Sequence, residues 1–316
     1  MLEHVLVTGG AGFIGSNLVD HINKFSPNTR VTVFDDLSSG LEENLVDSRC
    51  VFRKESILDY EALVEASVQV DAIVHLAAIG SVPRSIANPR PTHDANTTGT
   101  LNVLEAAREN KVNYVVVASS SSVYGANPSL PKTEWDWTRP LSPYAASKLF
   151  TEASTLAYGF SYGMKTLALR FFNVYGPRQR ADHDYAAVIP RFIDAAMAGR
   201  PIQINGDGLQ SRDFTFVDSV CETLWEACLR QVSHPHPVNL AFGTNTTLLE
   251  LLGVISPHFN QPLKVNHEPP RVGDVRASQA DPTLLSQLFP DLEPIKIEKG
   301  VSRTIEWFAA SRVQQG

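Results

Sequence analysis

The chain has 316 residues, 43% hydrophobic and 19% charged, with 27 Lys and Arg against 34 Asp and Glu for a formal net charge of −7. The length fits about two domains or one large one, and the apolar fraction excludes a disordered chain. The acidic balance argues against nucleic-acid binding, which needs a basic footprint; three cysteines with no CxxC (Cys50, Cys221, Cys228) argue against a disulfide scaffold or zinc ribbon and read as small buried apolar residues.

Met1-Leu2-Glu3-His4 leads straight into an apolar run with no basic leader or cleavage site. No apolar stretch approaches the ~18 residues of a membrane span, so the expectation is a cytoplasmic protein without a membrane partner. Asn96-Thr97-Thr98 and Asn245-Thr246-Thr247 fit the glycosylation sequon and read as chance matches.

In chain order, Val5–Val7 is an unbroken apolar run, the mark of a strand buried on both faces. Phe13, Ile14, Leu18, Val19 and Ile22 then recur at helical spacing. Further strands are predicted at Val31–Phe34, Val51–Phe52, Ala72–Leu76, Tyr114–Ala118 and Thr166–Leu169, with helices at about Tyr60–Ala66, Thr97–Glu109 and Pro143–Tyr158. This alternation predicts an α/β fold, a doubly wound parallel Rossmann sheet with helices on both faces. After Arg170 the pattern loosens, with Gly and Pro frequent; one more strand, Val238–Ala241, and a helix near Leu248–Ile255 follow, then a Pro-rich loop and C-terminal helices. The expected division is a cofactor-binding domain over residues 1–172 plus about 213–243, and a smaller C-terminal substrate-binding domain over about 173–212 and 244–316.

Thr8-Gly9-Gly10-Ala11-Gly12-Phe13-Ile14-Gly15 follows the first strand and opens the first helix. Gly9 allows a tight turn, Gly12 lets backbone approach a pyrophosphate, and Gly15 lets helix and sheet pack closely. The helix amides, Phe13 and Ile14 among them, then face the phosphates. Asp35 ends the second strand 20 residues after Gly15. A carboxylate there accepts ribose hydroxyls and repels a 2′-phosphate, which selects NAD over NADP.

Tyr144-Ala145-Ala146-Ser147-Lys148 puts Tyr and Lys on one face of a helix opened by Ser142-Pro143. A phenol near pKa 10 needs a shift of roughly 3 units, about 4 kcal/mol, to act as a base at pH 7. The Lys148 ammonium and a positive nicotinamide ring can favour the phenolate. Ser120, in the run Ser119–Ser122, lies at the C-terminal end of a central strand and can hydrogen-bond a substrate hydroxyl.

TGGAGFIG, HLAA (75–78), SSSSVYG (119–125), SPYAASK (142–148) and RFFNVYGPRQ (170–179) together resemble the extended short-chain dehydrogenase/reductases that bind nucleotide sugars. Within them the chain is similar to UDP-sugar 4-epimerases, above all those acting on UDP-N-acetylglucosamine, in the stretches Gly80–Ser85, Tyr185–Pro190 (with Ala187 and Val188), Ile204–Gly208 and Ser211–Phe214. The resemblance implies that Tyr144 is the base, Lys148 its activator, and Ser120 the partner of the sugar O4. Asn96 and the Ala77-Ala78 segment would hold NAD, with Ile57 near the adenine. Gly80, Ser81, Arg84, Ser121 and Ser122 would border the sugar. Asn173, Arg212 and Arg271 would hold the diphosphate, for which the guanidinium fork is suited. Asp274 would bind the uridine ribose, Gln179 and Tyr185 would lie over the nucleotide, and Ser278, being small, would leave room for an N-acetyl group at C2. One departure is Ser56, which stands where the family usually has an adenine-binding Asp.

The reaction so implied is oxidation at C4, rotation of the 4-keto sugar, and return of the hydrogen to the other face. Related 4,6-dehydratases carry Asp-Glu where this chain has Ser121-Ser122. UDP-glucuronate 4-epimerases and decarboxylases, and non-catalytic NAD(H)-binding scaffolds, are the other readings. The helices at 97–109 and 143–158 form the dimer bundle in relatives, so a homodimer is expected. His234-Pro235-His236 reads as a solvated loop and no metal site is expected.

Overall fold

The structure, a computed structural model, describes residues 2–182, 186–269 and 276–315. The first half consists of β1 (His4–Thr8), α1 (Phe13–Phe25), β2 (Arg30–Phe34), β3 (Val51–Arg53), α2 (Tyr60–Ala66), β4 (Ala72–His75), α3 (Val82–Ala87), α4 (Pro89–His93), α5 (Gly99–Glu109), β5 (Tyr114–Ser120), α6 (Pro143–Tyr162) and β6 (Lys165–Phe171). The second half holds β7 (Val174–Tyr175), α7 (Val188–Met197), β8 (Ile202–Asn205), β9 (Ser211–Arg212), β10 (Thr215–Phe216), α8 (Val217–Arg230), β11 (Val238–Leu240), β12 (Thr246–Thr247), α9 (Leu248–Ile255), β13 (Val265–Glu268), β14 (Ala277–Ser278), α10 (Thr283–Leu288) and α11 (Ile297–Gln315).

Seven strands form one parallel sheet in the order β3-β2-β1-β4-β5-β6-β11. Every residue of β1 and β4 is buried, as a sheet covered on both faces requires. The strand order reverses between β1 and β4, and a ligand crevice is expected beyond the carboxyl ends there. One face is covered by α2 and α5, whose Leu63, Val103 and Leu104 pack on Ile73 and Val115. On the other face α1 and α8 pack together, and their core runs without a break into α7, α9 and the C-terminal helices.

α6 has explicit ends. Ser142 Oγ accepts the Ala145 N–H at 3.1 Å, Pro143 takes the first position, and Gly163 closes the helix in the left-handed region. The predicted helix at 97–109 starts differently. Residues 94–98 form one turn of wider, π-type helix, and the regular α5 begins only at Gly99. Such a turn breaks the regular ladder and is found at functional sites. The second half is more fragmented than expected: two-residue strands, among them the pairs β7–β10 and β9–β12, join distant segments. No helix among the described residues is long and apolar enough to cross a membrane, and they contain no metal-binding cluster.

Candidate active site

The glycine-rich turn is shaped by close approaches. Gly9 has φ of +73°, and a Cβ there would lie 2.6 Å from the Ala77 nitrogen. A Cβ at Gly15 would lie 2.2 Å from the Gly9 carbonyl oxygen. Gly15 therefore closes on the turn's own backbone, not on the sheet as expected. The contact with the sheet belongs to Gly10, where a Cβ would meet Val33 at 2.7 Å. Gly12 caps α1, and its nearest constraint is the looser 3.2 Å to the Gly9 oxygen, so the open side of the cradle is there.

Asp35 braces this turn. Its Oδ2 accepts the Ala11 N–H and its Oδ1 the Leu37 N–H, both at 2.9 Å. Burial pushes its pKa up while these amides pull it down, and burial prevails. Each oxygen retains a lone pair for a hydroxyl donor. Phe13 and Ile14 stand half-buried on the first turn of α1, and buried Ile57 packs where a Cβ on Gly99 would be, 2.4 Å from its Cδ1.

A buried polar chain lies under the crevice. His75 Nδ1 meets Thr8 Oγ1 at 2.8 Å and Nε2 meets Thr100 Oγ1 at 3.0 Å. Thr100 donates to the Asn96 carbonyl at 2.6 Å, so it accepts from His75, which places the imidazole proton on Nε2. Burial first, and then the Lys148 charge, pull the His75 pKa down to about 3 and keep the ring neutral. Asn96, 1% exposed, accepts the Ile79 N–H at 2.8 Å and donates to Ser147 Oγ at 2.9 Å. It thus ties the Ala77-Ala78-Ile79 segment to α6, and its burial is incompatible with glycosylation of the folded chain.

Ser120, Tyr144 and Lys148 come together at the end of β5. Lys148 Nζ donates to the Ala118 carbonyl at 2.8 Å, and burial pulls its pKa down to about 8. Ser122 donates to Ser120 Oγ through its hydroxyl at 2.9 Å and its N–H at 3.2 Å. With its acceptor sites so used, the Ser120 proton is directed to the Tyr144 oxygen. Burial raises the Tyr144 pKa and the Ser120 hydrogen bond opposes the rise. The expected downward shift by Lys148 does not appear: within the protein alone only the Ser120 hydrogen bond opposes burial, and the phenol lies above its ordinary value. Phenolate formation needs further positive charge.

Ser85 Oγ accepts the Tyr144 N–H at 3.1 Å, which docks α3 on α6. Ser81 caps α3, accepting the Arg84 N–H at 3.2 Å, while Gly80 and Arg84 are exposed and Ser121 is half-buried. Val82 and Pro83 of α3 line a cavity of about 380 Å³. Asn173, Ala187, Val188 and Arg212 line it too. Asn173 has φ of +27°, and its Nδ2 donates to the Asp213 carbonyl at 3.2 Å. Arg212 Nη1 donates to the Ser211 carbonyl at 2.8 Å. Seven expected residues do not line this cavity: Gly80, Ser81, Arg84, Ser121, Ser122, Gln179, which donates to the Val174 carbonyl, and Ser278, which pairs with Arg212 in strand register. Tyr185, Arg271 and Asp274 lie outside the described residues.

The match to the NAD dependent epimerase/dehydratase family spans residues 5–241. The chain belongs to this family. It is 37% identical to a UDP-glucose 4-epimerase of Mycolicibacterium smegmatis over 96% of this chain and 97% of that protein. It superposes with a TM-score of 0.92 on the UDP-N-acetylglucosamine 4-epimerase of Methanobrevibacter ruminantium M1, solved with UDP-N-acetylmuramic acid; identity is 36%, covering 98% of this chain and all of that one. The UDP-glucose 4-epimerase of Thermus thermophilus, solved with NAD, gives a TM-score of 0.86 at 33% identity, covering 98% and 99%.

The residues fit the family's cofactor, NAD. The cradle at Gly12 is open, Asp35 offers acceptors to a diol, and the buried neutral His75 chain fixes the turn from below. Sequence reasoning missed His75 as a site residue, and the amide side chains Gln203, Asn205 and Gln210 on the far wall of the cavity. The HLAA segment carried a signal for the first and the Ile204–Gly208 stretch one for Asn205; Gln203 and Gln210 carried none.

Proposed function

We propose that this enzyme interconverts UDP-hexoses epimeric at C4, with UDP-GlcNAc and UDP-GalNAc as the preferred pair and UDP-Glc and UDP-Gal also accepted. The observation that carries this is the Ser120–Tyr144 pair with Lys148 beneath it, on a helix docked through Ser85 to the same α3 that lines the cavity. The cavity takes the nucleotide diphosphate, with Asn173 and Arg212 as donors, and leaves the sugar over Tyr144. Bound at the glycine turn, NAD supplies reversible two-electron oxidation at C4. Tyr144 takes the O4 proton and later returns it, and with the sugar bound Ser120 shares its hydroxyl proton between the Tyr144 oxygen and O4. Ser121 and Ser122 offer neither the acid nor the base that loss of water from C5 and C6 would need, which weighs against a dehydratase.

Residues 1–172 with about 213–243 form the NAD-binding part in this reading, and about 173–212 with 244–316 the sugar-nucleotide part. Support comes from the return of β11 to the sheet beside β6. Exposed Leu101 on α5 and Phe150 and Phe160 on α6 offer an apolar face for a homodimer, which sedimentation tests. The proposed location is the cytoplasm.

The deciding experiment gives purified protein NAD and a panel of UDP-sugars. UDP-GalNAc formed from UDP-GlcNAc is the expected product. Absence of any epimer overturns the reading, as does release of CO₂ from UDP-glucuronate or loss of water as the main reaction.

A further inference from the structure

The last three residues of β5 are each tied to α6. The Ala118 carbonyl accepts from Lys148 Nζ at 2.8 Å, Ser119 Oγ donates to Glu152 Oε2 at 2.7 Å, and Ser120 meets Tyr144. Tyr144, Lys148 and Glu152 are spaced four apart, so one stripe of the helix makes all three ties. Glu152 has a second anchor. Arg170, opposite Ser119 in strand register, donates through Nε to Oε2 at 3.0 Å and through Nη2 to Oε1 at 2.7 Å. Both partners are 3% exposed. Arg170 also lies over the Tyr124 ring at 4.7 Å, and Tyr124 ends the short helical turn that Ser120 caps.

Nothing in the proposed chemistry uses this carboxylate, which sits one helical turn past Lys148. A buried ion pair contributes little net stability over an apolar pair of the same volume. Its geometry, however, is narrow: two donors from neighbouring strands meet one carboxylate, so α6 cannot slide or roll on the strand ends without losing a bond. We propose that Glu152 is a positioning residue that, through Ser119 and Arg170, sets the register of β5 against α6 and holds the Ser120 hydroxyl on the Tyr144 oxygen. The inference rests on Tyr144 being the base.

The test removes one tie and leaves the ion pair intact. Ser119→Ala is expected to fold, with its melting temperature within about 4 °C of the parent. Its kcat is expected to fall about 5- to 20-fold with KM within about twofold, because a small misplacement at the reacting atoms costs rate rather than binding. The Tyr144 phenolate titration, read as the tyrosinate absorbance difference between each protein and its Tyr144→Phe counterpart with NAD bound, is expected to move upward by about half a pH unit. Ser119→Thr, which restores the hydroxyl, is expected to recover both. Wild-type kcat and titration in Ser119→Ala overturn the proposal. So does a loss of activity that tracks loss of folded protein while the titration stays put. The titration needs no sugar, so a protein that epimerises no UDP-hexose yet shows the shift refutes the proposed function and leaves the positioning role standing.

Discussion

At the scale of single residues, the site works with groups held away from their ordinary titration. Tyr144 lies above the usual phenol range and Lys148 is pulled down to about 8, both by burial. Tyr144→Phe removes the proton acceptor and leaves the ring in place. Its kcat is expected to fall by about 10²- to 10⁴-fold with little change in KM, measured by steady-state epimerisation. Lys148 is 5% exposed and among the described residues has one hydrogen-bond partner, a carbonyl, so the fold bears the cost of burying its charge. Lys148→Met is therefore expected to raise stability at pH 7 by about 1–3 kcal/mol while abolishing turnover, a trade visible by comparing urea unfolding with activity. The residues at these positions were legible in the sequence from the Tyr-Lys spacing taken together with the serine run, the glycine-rich turn and the family resemblance. The direction of the Tyr144 shift was not, because it depends on burial, which a single sequence does not show.

At the scale of elements, the β-α alternation was readable because strands covered on both faces appear as continuous apolar runs, as in Val115-Val116-Val117. α6 announced itself through Ser142-Pro143. α7 and α8 passed unread: neither has a side-chain cap, and α7 carries Pro190 in its first turn. The two-residue strands gave no local signal, since each exists only through a partner tens of residues away. The glycine turn was legible as a motif, while the partner of each glycine was not. Gly15→Ala would force the Gly9 carbonyl to move, at a cost of about 1–3 kcal/mol. The variant is expected to copurify without NAD, as shown by the cofactor released on denaturation.

Across the whole molecule, the proposed function asks an acidic chain to bind two anionic diphosphates. A net charge of −7 offers them no general attraction, so in that proposal binding depends on local donors, the turn amides and Arg212. The buried histidine sets an acid limit on the fold. Unfolded, the His75 imidazole takes a proton near pH 6.5; folded, it does so only near 3. Between those values the unfolded chain holds more protons, so stability is lost as pH falls from about 6.5 toward 3. His75→Asn is expected to flatten this part of the curve, measured by urea unfolding across that range.

The return of β11 to the sheet also bears on how the chain is made. Its Asn239 accepts the Tyr124 hydroxyl at 2.6 Å, donates to the Lys132 carbonyl at 3.0 Å, and takes Glu134 on its own N–H at 2.8 Å. A nascent chain that has emerged only through β6 leaves Tyr124 and Glu134 without these partners and the β6 edge open to other strands. The sheet is completed only when residue 240 has left the ribosome. Until then the sheet is an unfinished surface, exposed to chaperones and to aggregation.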